Sequence, residues 1–104
     1  MNRYIQIVTT VPKKSIAEKI SKVLVAKRLA ACVQTGGPIK SVYRWKGKVE
    51  TTREWVCVIK TRDKLYAKVE KTIKQIHPYE VPEIIAMPIT RSSRDYLKWL
   101  SENL

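Results

Sequence analysis

Two long runs of strand-forming residues that meet at one glycine constrain this chain more than any other feature. Leu29 to Tyr43 is the first run, bent or broken at Gly36-Gly37-Pro38, and Val49 to Thr61 is the second. Between them Lys46-Gly47 supplies a turn. The second run is densely apolar at Trp55-Val56-Cys57-Val58-Ile59, as expected of a strand covered on both faces. At about 14 residues each, the two strands far exceed the usual five or six. A ribbon of that length carrying Val42, Tyr43, Trp45 and Trp55 leaves an edge that one small domain cannot cover. Self-association through this hairpin is the physical expectation, with Tyr43, Trp45 and Trp55 at the interface.

The rest of the chain supplies the elements that such a hairpin needs around it. Residues 3–11 are rich in β-branched side chains and alternate in part, a first strand that Pro12 ends. Ser15-Ile16-Ala17-Glu18 fits a capping box, and Ile16, Ile20, Val23 and Leu24 recur at helical spacing to about Arg28. Asp63 to Ile76 is a second helix, with Leu65, Val69, Ile73 and Ile76 as its stripe. Ile84 to Ile89 is a fourth strand, and Ser92-Ser93-Arg94-Asp95 opens a last helix whose Tyr96, Leu97 and Leu100 face inward. The order is β-α-β-β-α-β plus a terminal helix. That pattern predicts an α+β, ferredoxin-like fold, with two helices on one face of a four-stranded antiparallel sheet.

With 104 residues and 44% apolar side chains, residues 1–104 make a single folded domain with one modest core. No apolar run approaches the roughly 18–20 residues needed to cross a bilayer. Met1-Asn2-Arg3-Tyr4 leads straight into the strand pattern without a signal-peptide h-region. The expectation is a cytoplasmic protein that makes no contact with membranes. The formal charge of +12, from 21 Lys and Arg against 9 Asp and Glu, favours solubility or an anionic partner. On the helices the cations fall mainly between the apolar positions, as on a solvated face.

The hairpin register bears on the two cysteines. Pairing about Lys46-Gly47 matches residues whose numbers add to about 93, so Cys32 faces residue 61 and Cys57 faces residue 36. The two thiols are then roughly 13 Å apart along the sheet. A disulfide needs Cα atoms within about 7 Å. A bulge at Gly36-Gly37-Pro38 shifts this register by about one residue, not four. Two free, mostly buried thiols in a reducing compartment follow.

The connector His77-Pro78-Tyr79-Glu80-Val81-Pro82-Glu83 holds the single histidine and two of the five prolines. Each proline fixes its own φ and pushes the preceding residue towards extended geometry, so the segment is stiff. His77 is a candidate ligand for copper or zinc, with Cys32 and Glu80 as helpers; its other reading is a helix C-cap at the negative end of the dipole. Cys32, beside Ala30-Ala31, reads equally as a packed interior residue. Lys60 ends an apolar strand and either snorkels to the rim or joins His77, Tyr79 and Glu83 in a small ligand cleft for an anion or a metal.

Four stretches carry a resemblance to a known family. His77-Pro78-Tyr79-Glu80-Val81-Pro82-Glu83-Ile84-Ile85-Ala86 resembles the signature of the divalent cation tolerance (CutA) family. Lys27-Arg28-Leu29-Ala30-Ala31-Cys32-Val33, Tyr43-Arg44-Trp45-Lys46-Gly47-Lys48 and Asp95-Tyr96-Leu97-Lys98-Trp99-Leu100 resemble it too, in the family's order. The resemblance implies a tight homotrimer with ferredoxin-like subunits, no settled catalytic activity, and an association with Cu²⁺ or another divalent cation. It also implies copper ligands: a cysteine at the end of the first strand and two adjacent histidines before the Pro-Tyr. Thr9 and Ile76 stand at two of those places, and only His77 matches.

The leading expectation is therefore a non-enzymatic homotrimer linked to divalent metal, signalling-like in the manner of trimeric relatives with clefts between subunits. The alternative is an RNA-binding module, since the element order and charge suit one. The aromatic ribonucleoprotein pattern is missing, however, and the chain has no Phe, so nucleic acid is not the expected partner. A small acylphosphatase-like hydrolase would share the fold, but no Gly-rich phosphate loop or Ser/His/Asp set accompanies it.

Overall fold

A computed structural model describes residues 3–104. Strand β1 (Tyr4–Val11) leads into helix α1 (Lys14–Ala26). Strands β2 (Cys32–Trp45) and β3 (Lys48–Arg62) follow as one hairpin. A single 3₁₀ turn at Asp63–Leu65 then precedes helix α2 (Tyr66–Ile76), strand β4 (Ile84–Pro88) and helix α3 (Arg94–Glu102). All four strands form one antiparallel sheet in the order β2-β3-β1-β4. This is the expected ferredoxin-like βαββαβ arrangement with an added helix.

The core lies between one face of the sheet and the first two helices. Ile5, Ile7 and Val11 of β1 and Cys57 and Ile59 of β3 alternate onto that face. They meet Ala17, Ile20 and Leu24 of α1 and Val69 and Ile73 of α2. Burying each such aliphatic side chain contributes about 1.5–3 kcal/mol. Helix α3 belongs to the opposite face: the Arg62 guanidinium donates to the Ser101 carbonyl at 3.2 Å, and Lys60 Nζ lies 5.8 Å from the Tyr96 ring centroid.

Several local expectations are corrected. Helix α1 begins earlier than the capping box requires. Lys13 is its N-cap in extended geometry and no side chain caps it, so Ser15 and Glu18 both fall inside the helix. Leu29 to Ala31 lie outside the second strand, because the left-handed Arg28 (φ 57°) closes α1 and the ladder opens at Cys32. The second helix opens as a 3₁₀ turn, with Tyr66 as the first α-helical residue. Of the three inward residues expected on α3, Leu100 is fully buried but Tyr96 and Leu97 remain over a third exposed.

The hairpin turns at Lys46 (φ 51°) and Gly47 (φ 80°), two positive dihedrals as a type I′ turn requires. From Trp45↔Lys48 back to Ile39↔Glu54 the register is the expected one. Between Gly36 and Ile39 it shifts by one residue, so Cys32 faces Lys60 and Cys57 faces Thr35. Gly37 makes this bulge possible: at φ +146° a Cβ there would lie 2.7 Å from Trp55 Cδ1 and 3.0 Å from the Glu54 carbonyl oxygen. Both cysteines are free, Cys57 buried and Cys32 half-buried. Beyond the helices the ribbon projects into solvent, and the subunit measures 45 × 25 × 23 Å.

Candidate functional site

The stiff connector at residues 77–83 crosses the end of β1 and faces the base of the projecting hairpin. His77 caps α2, its backbone N–H donating to the Ile73 carbonyl at 2.8 Å, and its ring is anchored on both sides. Nε2 lies 2.7 Å from the Thr10 carbonyl oxygen, and Nδ1 accepts from the Tyr79 amide at 3.2 Å. A carbonyl can only accept, so Nε2 carries the proton and Nδ1 is the lone-pair nitrogen. The imidazole thus pins the connector to β1 and aims Tyr79.

The Tyr79 hydroxyl donates to Glu54 Oε2 at 2.9 Å. Glu54 is 4% exposed although it sits on a strand of a very basic protein. Burial, reinforced by the hydrogen bond to Glu54 and that carboxylate's charge, pushes the Tyr79 phenol up to about 12. Between the connector and the hairpin lies an open pocket of about 670 Å³. Glu54, Glu80 and Glu83 supply its carboxylates, and Tyr43, Trp45 and Tyr79 its rings. Lys46 stands at the rim, 4.0 Å from Glu80 and 5.5 Å from the Trp45 ring centroid.

The structure therefore brings together only part of the expected sites. Tyr79 and Glu83 share the pocket, with Tyr43, Trp45 and Glu80. Lys60 is elsewhere: it lies six residues along β3 from Glu54, roughly 20 Å at strand rise. There it donates to Gln34 Oε1 at 2.6 Å. Cys32 is opposite Lys60, at that same remote end. Trp55 packs partly buried against the core, apart from Tyr43 and Trp45.

His77, Cys32 and Glu80 do not converge within one subunit. Among the described residues no group of three His, Cys, Asp or Glu is placed to hold a metal ion. Both His77 nitrogens are also already engaged. Glu54 was not singled out from the sequence; an acid next to Trp55 at the edge of an apolar strand was the available signal.

The fold and site define a small ferredoxin-like α+β protein whose hairpin outgrows its body and whose His-anchored connector closes one side of an acidic, aromatic pocket. Within that class the chain belongs to the CutA1 divalent ion tolerance family, whose profile matches residues 5–103. It is 43% identical over 97 residues to the divalent-cation tolerance protein CutA of Thermus thermophilus, covering 93% of this chain and 94% of that protein. The solved structure of the divalent cation tolerance protein (Cut A1) from the same organism superposes with a TM-score of 0.93. That match has 42% identity and covers 96% of this chain and 97% of the other. The mouse and human CutA proteins are 40% identical over 93 residues, and the match spans only 52% of their length.

The RNA-binding alternative gains no support from the fold. On the sheet face opposite the core, the two central strands present Gln6, Val8, Val56 and Val58 where stacking rings would be needed. Among the described residues no helix is long and apolar enough to cross a membrane.

Proposed function

We propose that this chain works as a homotrimeric, non-enzymatic protein of divalent-cation tolerance, assembled through its β2-β3 hairpins. One observation carries the assembly: the ribbon extends past the helices with Val42 and Val49 each over 60% exposed and with Tyr43 and Trp45 only partly covered. Apolar surface of this kind, flanked by the open edge of β2, is what a second and third copy would cover. The trimeric form is the family expectation, and the ribbon gives it a physical cause.

Within one subunit the donors do not fit a preformed copper centre, so the proposed link to Cu²⁺ or another divalent cation is weak coordination by exposed groups such as Glu80. His77 is not required for it. The two free thiols, too far apart to bridge, suit the reducing cytoplasm.

Light scattering tests the assembly: a mass of about 36 kDa is expected, three times the 12.1 kDa chain, and a single-chain species at micromolar concentration would overturn it. Calorimetric titration with Cu²⁺ and Zn²⁺ tests the metal link. Weak heats unchanged by His77→Ala are expected. Tight binding abolished by that substitution would sink the coordination proposed here.

A further inference from the structure

The positive charge of this chain is not spread evenly over the fold. Residues 13–28 form α1 and its two ends, and residues 63–76 form the 3₁₀ turn and α2. Together they hold ten lysines and arginines against three acids, Glu18, Asp63 and Glu70, while the other residues hold eleven against six. Fewer than a third of the residues therefore carry +7 of the net +12. All ten cations are exposed. Among the described residues only Lys74 of the ten is in an ion pair, 3.7 Å from Glu70.

The two helices gather these charges onto one surface. Ser21 marks the flank of α1 that meets β2, its hydroxyl 3.3 Å from that of Thr35. Lys19, two positions back, lies on the opposite flank, where α1 packs beside α2. Beyond it Lys64, Lys68 and Lys71 recur at i, i+4 and i+7, a row turned away from the buried Val69 and Ile73. Successive charges in that row advance about 5 Å. Both helices cover one face of the sheet, so their outer sides stay in water when other copies cover the ribbon. Lysines held this close repel one another, and a bound polyanion relieves the repulsion while releasing its own counter-ions.

The outward side chains decide which polyanion fits. Among the described residues the only ring on this helix pair is Tyr66, half-buried and donating to Glu70 at 2.8 Å, so no platform stacks bases. Val25 is the one large apolar side chain exposed there, too little to anchor in a bilayer interface. Nine of the ten cations are lysines, compact point charges that need no fixed acceptor geometry. A flexible chain of phosphates can follow lysines spread over two helices, where a rigid duplex meets few of them at once.

We propose that the outer surface of α1 and α2 binds inorganic polyphosphate, whose phosphates track Lys64, Lys68 and Lys71 and cross to Lys19 and Lys22. This binding depends neither on metal coordination nor on the trimer.

The test is fluorescence anisotropy of an end-labelled polyphosphate in metal-free buffer, with circular dichroism and light scattering to check the fold and mass of each variant. Lys19→Gln/Lys68→Gln/Lys71→Gln removes three charges from the surface. Arg91→Gln/Arg94→Gln/Lys98→Gln removes three at and before α3. Saturable wild-type binding that weakens steeply from about 50 to 200 mM salt is expected. The helix variant should bind at least about tenfold more weakly, with the slope of log K against log salt reduced by about 2. The α3 variant should stay within about threefold of wild type. Absence of saturable binding, or equal weakening in both variants, overturns the proposal. So does tighter binding of duplex DNA or of phosphatidylglycerol vesicles through the same three lysines, which would give the surface another occupant.

Discussion

Tyr79 owes its setting to two residues: His77 anchors its amide and Glu54, far from it in sequence, receives its hydroxyl. Its phenol is pushed up to about 12 in the folded chain, against about 10 when unfolded. The folded state therefore holds this proton more tightly. The associated stability is complete below about pH 10 and is lost as pH rises through about 12. Ultraviolet titration should show a tyrosine ionising near pH 12 that disappears in Tyr79→Phe. That variant also leaves Glu54 without its donor and should lose about 1–3 kcal/mol in denaturant unfolding. The cysteines differ in their settings as well. Burial raises the Cys57 thiol, whereas Cys32 is half-buried. A water-soluble disulfide reagent should label Cys32 in the native protein and reach Cys57 only on unfolding; prompt labelling of both would contradict this packing.

At the scale of elements, every strand and helix was legible in the sequence, because β-branched runs and helical stripes of Ile, Leu and Val mark both periods directly. Element ends were less so. Ser15 and Glu18 fit a capping box by spacing, yet the turn out of Pro12 sets the first helical residue at Lys14. The register break was visible as Gly36-Gly37-Pro38, although only the fold reveals why glycine is needed at the second position. There the indole of Trp55 and the Glu54 carbonyl leave no room for a Cβ. Gly37→Ala should cost at least about 1–3 kcal/mol through overpacking and strained backbone. Gly36→Ala, whose nearest contact is an ordinary 3.7 Å from Val56 Cγ1, should be close to neutral. Thermal unfolding of the pair would check both; equal stability in the two variants would refute the steric account.

For the whole molecule, sequence could give the residue types of a site but not which end of a long strand each would occupy. Lys60 and Tyr79 looked compatible chemically, but Tyr79 meets β3 at Glu54, roughly 20 Å along the strand from Lys60. Glu54 and Tyr79, 25 residues apart, meet only because β1 lies between β3 and β4. The expectation of self-association came from strand length together with the Val42, Tyr43, Trp45 and Trp55 side chains the ribbon carries. Val42→Asp combined with Val49→Asp places two charges on surface that three copies would bury. A shift from the proposed trimer towards smaller species is expected at micromolar concentration, read by light scattering. An unchanged mass would locate the contacts elsewhere.

The irregularity at Gly36–Ile39 has one more effect. On its near side Val33 and Thr35 pair with Ile59 and Cys57; on its far side Ile39, Tyr43 and Trp45 pair with Glu54, Glu50 and Lys48. Cross-strand partners share a face, so odd-numbered positions of β2 swap sides at this point. Removing a single residue there would let the ladder run straight while every distal partner is kept, so a phenol and an indole would stay on the Tyr79 side and the ribbon would lose only the local bend and extra twist with which it leaves the body.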